Sequence, residues 1–307
     1  MKALVTGGAG FIGSHLSDRL IQLGHEVLIV DNFYSGKKEN LNPKAKLYEV
    51  DITDFEKLKD VFEKEKPEIV FHLAAQSYVS ISTKKPMEDA RINVIGSVNL
   101  IHLSKEYNVK KLIYSNSGGA SYGNPLYMPI DEKHSINPVC QYGISKHTVE
   151  HYLYLYNYNY GLKYTSLRYA NIYGPRQDPY GEGGVVAIFT NCLLKNQRPT
   201  IFGDGSQIRD YCFVQDVVDA NIWAMSNGDN DFFNVGTGAG TSTQKVFDAI
   251  KNELGLNLEV IYAPERVGDA KACVLDSNKL QSNGWKPKYN FEQGIKETIA
   301  YFKSIIK

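Results

Sequence analysis

The apolar residues of the N-terminal part of the chain fall into short β-branched runs separated by stretches with helical spacing. This alternation predicts strands at 2–6, 26–31, 46–50, 68–74 and 110–116, and helices at about 11–23, 55–65 and 87–106. The strand residues are apolar at consecutive positions, which is typical of a sheet covered by helices on both faces. Strands and helices that alternate through short loops predict a Rossmann-like, doubly wound α/β fold with a parallel sheet.

The stretch from Cys140 to Tyr164 holds seven tyrosines, and five of them alternate with a period of two between Tyr152 and Tyr160. That period by itself favours a strand. The stretch lies between two predicted strands, however, and stops before Gly161, so a helix over about 141–159 fits the alternation of elements better. Tyrosines two apart on a helix cannot all face one core, so some are expected to face a partner subunit.

The pattern loosens after Ala170, where glycines, prolines and long loops become frequent. Pieces of strand and helix return in IRDYCFVQDVVDA and DFFNVGTG. The sequence therefore predicts a Rossmann domain over 1–170 and a smaller C-terminal α/β substrate lobe over 171–307. The segment at about 211–237 is expected to return to the first domain.

The charge balance and the cysteines exclude several classes of protein. Lys plus Arg equals Asp plus Glu, with 34 of each, so no net field draws the chain to nucleic acid or to a membrane surface. The four cysteines are scattered without a C-x-x-C pair, a spacing that predicts free thiols in a reducing cytosol and no metal site. The sequence shows neither a signal peptide nor a long apolar run. We expect a cytoplasmic protein without nucleic-acid or membrane partners.

The segment TGGAGFIG joins the first predicted strand to the first predicted helix and contains Gly7-x-x-Gly10-x-x-Gly13, which overlaps Gly8-x-Gly10-x-x-Gly13. A tight turn and a close approach to pyrophosphate both require residues without Cβ, and the helix N-terminus adds amides and a partial positive charge. Glycines serve many turns, but the position between strand and helix predicts a dinucleotide phosphate site here.

Acidic residues at the ends of the second and third strands bear on the choice of cofactor. Asp31 ends the second strand, where a carboxylate can accept the adenosine ribose hydroxyls and repels a 2′-phosphate. This favours NAD over NADP, and the alternative is that Asp31 is a turn residue. Asp51 follows the third strand and is a weaker candidate for a contact to the adenine amine.

Tyr142 and Lys146 are four residues apart, so both side chains project from the same side of the predicted helix. The pair follows the serine loop SNSGGASYG, with Ser115, Ser117 and Ser121, near the strand ends where ligands of α/β sheets bind. A tyrosine acting as a base near neutral pH needs its pKa lowered by about three units from about 10, and a nearby positive charge can supply this. Lys146 and an oxidised nicotinamide ring are two such charges, although an isolated pair at this spacing is more often a solvated helix face.

Several motifs recur in a fixed order over nearly the whole chain: TGGAGFIG, Asp31, HLAAQ (72–76), Asn93, Tyr142-x-x-x-Lys146, LRYANIYGPRQ (167–177), RDYCFVQDV (209–217) and ERVGDAKACVLD (265–276). Together they resemble the extended short-chain dehydrogenase/reductases, and among these the NAD-dependent nucleotide-sugar 4-epimerases. The resemblance implies that Tyr142 takes the proton of the sugar 4-hydroxyl while hydride passes to bound NAD, and that Lys146 contacts the nicotinamide ribose. The position where the family places its assisting serine is Gly118 here, so that role falls to Ser117, with Ser115 next.

The glycine motif and the resemblance together imply two sets of binding residues. The NAD contacts are expected at Gly7, Gly10, Phe11, Ile12, Gly13, Asp31, Asn32, Asp51, Ile52, Leu73, Ala74, Ala75, Asn93, Tyr142, Lys146 and Tyr169. The UDP-sugar contacts are expected at Ser117, Tyr142, Asn171, Val185, Arg209, Arg266, Asp269 and Cys273.

Cys273 lies seven residues after Arg266, where family members restricted to glucose and galactose place a tyrosine. By the resemblance, a cysteine leaves room for an N-acetyl group, because overlap with a larger side chain is what rejects a larger substrate. This predicts UDP-N-acetylglucosamine/UDP-N-acetylgalactosamine interconversion, with UDP-glucose/UDP-galactose as a further pair. The alternative is that Cys273 only packs, as small buried cysteines often do.

Other functions stay open from the sequence alone. The serine loop lacks the acidic residue of 4,6-dehydratases and uronate decarboxylases, but a UDP-uronate 4-epimerase or another nucleotide-sugar-modifying short-chain dehydrogenase is an alternative. From another class, a non-catalytic NAD-sensing or scaffold protein on the same fold is a further alternative, against which Tyr142 and Lys146 argue. Family members commonly pair two helices from each subunit, which implies a homodimer through helices at about 87–106 and 141–159.

Overall fold

The computed structural model describes residues 1–180, 184–265 and 271–306 of the chain. The strands are β1 (Lys2–Thr6), β2 (Glu26–Asp31), β3 (Lys46–Glu49), β4 (Ile69–His72), β5 (Lys111–Ser117), β6 (Tyr164–Tyr169), β7 (Asn171–Tyr173), β8 (Thr200–Phe202), β9 (Ile208–Phe213), β10 (Asp231–Val235), β11 (Gly240–Ser242), β12 (Ile261–Ala263) and β13 (Ala272–Cys273). The α-helices are α1 (Phe11–Gln22), α2 (Phe55–Glu65), α3 (Val79–Lys84), α4 (Pro86–Ala90), α5 (Gly96–Glu106), α6 (Gly118–Ser121), α7 (Gln141–Tyr160), α8 (Val185–Leu194), α9 (Val214–Ala224), α10 (Thr243–Leu254), α11 (Asn278–Ser282) and α12 (Phe291–Ile305). A π-helical turn, Arg91–Ile95, joins α4 to α5.

A large sheet has the strand order β10-β6-β5-β4-β1-β2-β3. β1 pairs in parallel with both β2 and β4, and parallel pairing also joins β2 to β3 and β4 to β5. The predicted Rossmann-like parallel sheet is therefore confirmed. The chain changes direction across the sheet between β3 and β4, so the loops after β1 and β4 meet at the switch point where such sheets bind ligands.

Both faces of the large sheet are covered, which explains its uninterrupted apolar strands. Leu4 and Val70 of neighbouring strands pack in one buried cluster with Phe62 of α2, Leu100 of α5 and Leu153 of α7. The intervening strand residues, which point to the opposite face, are also fully buried. Alternate residues thus serve two cores, one on each side of the sheet.

The tyrosine-rich stretch forms the helix α7, as predicted, and not a strand. It ends at Gly161, whose φ of 73° is the left-handed conformation that terminates many helices. Tyr152 and Tyr156 pack against the buried cluster of the large sheet. Tyr154 and Tyr158 are 60% and 76% exposed, which agrees with the expectation that the tyrosines divide between two sides of the helix.

A smaller sheet is organised around β9. Strands β7 and β13 pair with β9 in parallel, and β11 pairs with it antiparallel. The registers place Asn171 opposite Tyr211 and Cys273 opposite Arg209. Residues from three separate sequence motifs are therefore neighbours along a single strand.

The chain divides into two compact units. The first comprises Met1–Gly123, Ile136–Arg168 and Val218–Phe233, and the second comprises Asn124–Ser135, Tyr169–Val217 and Asn234–Lys307. The chain thus returns to the first unit after leaving it. The assignment of NAD binding to the first unit and of substrate binding to the second remains a proposal. Within the described ranges, every helix is too short or too polar to cross a membrane.

Candidate active site

The glycine loop between β1 and α1 brings backbone atoms unusually close together. Gly7 has a φ of 70°, and a Cβ there would lie 2.8 Å from the backbone nitrogen of Ala74. A Cβ on Gly13 would overlap the carbonyl oxygen of Gly7, which also accepts the Gly10 N–H at 3.0 Å. Helix α1 begins directly at this turn, so its first amides stay open to a pyrophosphate. The loop therefore fits the dinucleotide that the sequence predicts.

The acidic end of β2 is anchored by the backbone. Asp31 accepts the Ala9 N–H at 2.9 Å and the Phe33 N–H at 2.8 Å, one on each carboxylate oxygen. Burial raises the pKa of Asp31, and these two bonds act against that rise. Asn32 donates from Nδ2 to Asp51 Oδ2 at 3.0 Å, so Asp31, Asn32 and Asp51, three of the predicted NAD contacts, lie together.

Three of the predicted cofactor contacts have apolar side chains that lie in the first turn of α1 or in the buried core. Phe11 and Ile12 form the first turn of α1 and are half-buried. Ile52 is 5% exposed and belongs to the buried cluster of the large sheet, and its carbonyl accepts Asn99 Nδ2 at 3.0 Å. The side chain of Ile52 is therefore a core residue, and a contact of its backbone with NAD stays a prediction.

The loop after β4 lies against the glycine loop. The Leu73 N–H donates to the Thr6 carbonyl at 3.2 Å, and the Ala74 N–H donates to Thr6 Oγ1 at 3.2 Å. Thr6 is the last residue of β1, so these bonds fix the two loops at the switch point. The predicted contacts Leu73, Ala74 and Ala75 are half-buried there.

Asn93 lies buried in the π-helical turn and holds this loop from the other side. Its Oδ1 accepts the Gln76 N–H at 2.9 Å, and its Nδ2 donates to the Gln76 carbonyl at 2.9 Å. The same Nδ2 donates to Asp89 Oδ1 at 3.0 Å and to Ser145 Oγ at 3.2 Å. Ser145 Oγ in turn donates to the Tyr142 carbonyl at 3.0 Å. Asn93 thus ties the loop after β4 to the first turn of α7, while its direct contact with NAD stays a prediction.

His72 is a further buried group near this loop, and unlike Asn93 it was not singled out by the sequence reasoning. Its ring nitrogens lie 2.9 Å from Thr6 Oγ1 and 2.8 Å from Ser97 Oγ. Burial lowers the pKa of His72 well below its usual range, and the charge of Lys146 adds to this. His72 and Gln76 are the first and last residues of the HLAAQ motif, so that motif was the available signal.

Tyr142 and Lys146 occupy the first two turns of α7, as the spacing predicts. Lys146 is 3% exposed, and its Nζ lies 4.3 Å from the centre of the Tyr114 ring. The Tyr114 hydroxyl donates to the Lys146 carbonyl at 3.1 Å, which fixes this turn of the helix against β5. Lys146 is therefore a buried amine over an aromatic face and not part of a solvated surface.

In the chain without a cofactor, burial is the largest influence on the pKa values of Tyr142 and Lys146. It raises the pKa of Tyr142 well above its usual value, with further increases from Cys140 and Asp89 and a decrease from the Ser117 side chain. Burial also lowers the pKa of Lys146 to about 7. The sequence argument expected positive charge to lower the pKa of Tyr142, but in the chain without a cofactor the effect of burial is larger than any such lowering. The oxidised nicotinamide, when bound, supplies the other positive charge.

The serine loop distinguishes its three serines. Ser121 is fully buried and donates to Asn116 Oδ1 at 3.2 Å, and Ser115 is 8% exposed at the end of β5. Ser117 is half-buried and is the serine whose side chain lowers the pKa of Tyr142. This geometry favours Ser117 as the assisting residue.

A pocket of about 290 Å³ lies in the second unit. Its lining includes the predicted substrate residues Asn171, Val185 and Arg209. Tyr211 and Thr243 also line it and were not predicted, although Tyr211 lies two residues after Arg209 in the same RDYCFV motif. A guanidinium with amide, hydroxyl and aromatic neighbours suits a phosphorylated nucleoside.

Cys273 and Tyr169 are predicted contacts that are not among the residues lining this pocket. Cys273 is 5% exposed and neighbours Arg209 across the strands, and burial raises the pKa of its thiol to about 11. Tyr169, predicted to contact NAD, is 6% exposed at the end of β6. Arg266 and Asp269 lie outside the described residues.

Asp210 lies between two pocket residues but serves the opposite side of β9. Its carboxylate accepts the Thr237 N–H at 2.9 Å, the Thr237 hydroxyl at 2.6 Å and the Gly238 N–H at 3.2 Å. These bonds fasten the turn after β10 to β9. The alternation of the strand thus gives Arg209 and Tyr211 to the pocket and Asp210 to the scaffold.

Comparison with protein families gives a match over residues 3–236 to the model described as the NAD dependent epimerase/dehydratase family. The chain belongs to this family. NAD is accordingly its cofactor, and the loops after β1, β2 and β4 form the part of the fold that suits it.

Related proteins span the full length of the chain. A crystal structure of UDP-glucose 4-epimerase with UDP-glucose from Thermotoga maritima is 50% identical, with a TM-score of 0.99 and complete coverage of both chains. A putative UDP-glucose 4-epimerase of Methanocaldococcus jannaschii is 47% identical over 98% of each chain. A UDP-N-acetylglucosamine 4-epimerase from Methanobrevibacter ruminantium, in complex with UDP-N-acetylmuramic acid, is 36% identical, with a TM-score of 0.94 and 99% coverage of both chains.

The low pKa of Lys146 predicts that this residue destabilises the fold. Lys146→Met should raise the free energy of unfolding at pH 7, because an apolar side chain of similar length replaces a buried amine. The pKa is about 7 in the folded chain and about 10.5 when unfolded, so the unfolded state binds more protons between these values. The difference in unfolding free energy between Lys146→Met and the wild type, measured by urea unfolding, should therefore decrease as pH rises from 7 to 10. A pH-independent difference would contradict the assignment, and Lys59→Met, at an exposed position of α2, is the control.

Proposed function

We propose that the chain is a UDP-sugar 4-epimerase that works by transient hydride transfer to bound NAD through a 4-keto intermediate. The observation that carries the proposal is the placement of Tyr142 and Lys146 on α7, beside Ser117, in the unit that contains the glycine loop. Membership of the NAD-dependent family and the full-length likeness to UDP-sugar epimerases support it.

The proposed roles follow from the chemistry of each side chain. Tyr142 removes the proton of the sugar 4-hydroxyl and later returns it to the same oxygen, so one group acts as base and then as acid. Ser117 donates a hydrogen bond to that oxygen, and Lys146 stabilises the phenolate. Bound NAD would supply the hydride acceptor and donor for this step.

The second unit supplies groups for the nucleotide. Arg209 offers the planar set of donors that suits phosphate oxygens, and Asn171 offers an amide. Val185 begins α8 after Gly184, so backbone amides at the start of this ten-residue helix also face the pocket region. Arg266 and Asp269 are proposed as further contacts on the resemblance alone.

Tyr142→Phe tests the central role. The variant keeps the ring but loses the hydroxyl, so kcat should fall by about 10²–10⁴-fold, the range for losing a general acid–base group. Affinity for NAD and for UDP, measured by calorimetry, should be retained because the ring packing is unchanged. Tyr156→Phe, on the same helix but packed against the core of the large sheet, should leave kcat unchanged. A full rate in Tyr142→Phe would show that another group is the base.

The substrate pair is the finer part of the proposal. The small side chain of Cys273 supports UDP-N-acetylglucosamine/UDP-N-acetylgalactosamine, as does the name of the relative from Methanobrevibacter ruminantium. The names of the relatives at 47% and 50% identity support UDP-glucose/UDP-galactose. We infer that both pairs are substrates, because a pocket made larger rejects a smaller sugar only weakly.

Proton NMR of the purified chain with each UDP-sugar, with and without added NAD, decides between these pairs. The galacto epimer should appear from both UDP-N-acetylglucosamine and UDP-glucose. Cys273→Tyr should lose the acetylated conversion and keep the other, while Cys273→Ser, matched in size, should keep both. Conversion of UDP-glucose alone by the wild type would contradict the inference that Cys273 leaves room for an N-acetyl group. Silence with both would leave a UDP-uronate or a non-catalytic role to be tested next.

A homodimer through α5 and α7 is a further proposal. Ile144, Leu155 and Tyr158 of α7 are 53%, 45% and 76% exposed, and their spacing places them on one stripe of the helix. Tyr154 stacks on Tyr158 with ring centres 6.3 Å apart, which makes the stripe flat and aromatic. Such a surface suits burial against a second copy, because aromatic residues are enriched in the centres of interfaces.

Tyr158→Glu tests this surface. A charge in the centre of an apolar interface is costly, so the variant should move towards monomer in sedimentation velocity at micromolar concentration. Tyr262→Glu, at a position 57% exposed in the second unit, provides the control for adding the same charge elsewhere. An unchanged sedimentation coefficient in Tyr158→Glu would count against the α7 interface.

A further inference from the structure

Two histidines on α7 face each other outside the proposed active site. His147 and His151 are one helical turn apart, and their Nε2 atoms are 3.2 Å apart. Their ring centres are separated by 4.8 Å, with an angle of 71° between the ring planes. In the single chain His151 is exposed, and 24% of the His147 side chain is exposed, so an ion can reach this pair.

The contacts of His147 fix which of its nitrogens carries the proton. Its Nδ1 lies 3.1 Å from Glu150 Oε2. Glu150 also binds the buried Arg168, with Nε donating to Oε1 at 3.0 Å and Nη2 to Oε2 at 2.6 Å. A carboxylate that grips a guanidinium in this way is ionised and can only accept hydrogen bonds. The proton of a neutral His147 is therefore on Nδ1, and its Nε2 presents a lone pair towards His151.

We propose that His147 and His151 chelate a divalent transition-metal ion such as Zn²⁺ or Cu²⁺ through their Nε2 atoms. Metal–nitrogen bonds of about 2.0–2.1 Å at tetrahedral to octahedral angles place two ligand nitrogens about 2.8–3.4 Å apart. The observed separation of 3.2 Å lies within this range. Imidazole is a preferred ligand of both ions, and histidines four residues apart on a helix present their rings to one side.

Glu150 supplies the feature that distinguishes this pair from two neighbouring surface side chains. Metal-bound histidines generally donate their other ring N–H to a carboxylate or carbonyl, which fixes the tautomer and orients the ring. Glu150 does this for His147, and its own position is fixed by Arg168 and by Ser166 Oγ, which donates to Oε1 at 2.6 Å. The orienting group is thus part of the buried scaffold of α7 and β6.

The ion would have two ligands from one chain. In the part of the chain that the structure describes, no group of three or more His, Cys, Asp or Glu side chains is arranged to hold a metal. Water completes the coordination, or the same pair from a second copy does so, since His147 and His151 lie on the stripe that contains Ile144 and Tyr158. The site does not depend on the proposed epimerase activity.

Calorimetric titration of the full chain, prepared without a histidine tag, with ZnCl₂ and separately with CuCl₂ tests the site. His147→Ala and His151→Ala should each weaken binding at least about tenfold, the lower end of what lost support costs at metal sites. Thr148→Ala, on the same turn, should bind as the wild type does. Metal binding by the other histidines is the same in all variants, so it does not contribute to the difference in affinity between them. Unchanged affinity in both histidine variants, or no binding by the wild type, would overturn the proposal and leave a hydrogen-bonded pair.

The stoichiometry and a spectrum refine the result. One ion per chain indicates a site completed by water, and one ion per two chains indicates a site shared between copies. Electron paramagnetic resonance of the Cu²⁺ form should show coupling to nitrogen that is reduced in His151→Ala. Equal spectra in the wild type and in this variant would place the ion elsewhere and contradict the proposal.

Discussion

A buried amide must find its hydrogen-bond partners inside the protein, and Asn93 meets this requirement by joining separate parts of the first unit. Its bonds reach the loop after β4, the acidic Asp89 and the Ser145 hydroxyl on α7. Loss of the Asn93 side chain would remove the partner of both the N–H and the carbonyl of Gln76, and a buried polar group left unsatisfied is more costly than the loss of one bond. The position of the loop and that of the first turn of α7 are therefore set together.

The large sheet, the glycine loop and α7 were predictable from the sequence because their signals are local. Strand runs, turn glycines and a helix-ending Gly161 all act within a few residues. The local period of the tyrosines favoured a strand, and the alternation of elements around α7 decided correctly against it. Asn93 could be named, but its partners Gln76 and Ser145 lie 17 and 52 residues away, and no periodicity reveals such a network. The pocket lining depends similarly on strand register around β9, which a single sequence does not specify.

Burial shifts the pKa values of Tyr142 and Lys146, both in the first turns of α7, in opposite directions. It makes the phenolate of Tyr142 and the ammonium of Lys146 both unfavourable, which explains why the simple pairing of charges failed as an account of the pKa of Tyr142. Under the proposed function, ionisation of Tyr142 requires an added positive charge, which an oxidised nicotinamide has and a reduced one lacks. Proton removal and hydride removal from the sugar would then be linked by electrostatics. A site of this kind is maintained at a cost in stability.

The alternation along β9 also limits how this protein can change over evolutionary time. Arg209 and Tyr211 line the pocket, while Asp210 fastens the turn that contains Thr237 on the other side. A substitution at either pocket residue alters recognition and leaves the fastening intact. An insertion or deletion of one residue within the strand would instead exchange the two sides, placing a carboxylate in the pocket and an arginine in the scaffold. Point substitutions in β9, and changes in the neighbouring strands β7 and β13, can therefore alter the substrate range. Changes in the length of β9 cannot do so without disrupting the scaffold.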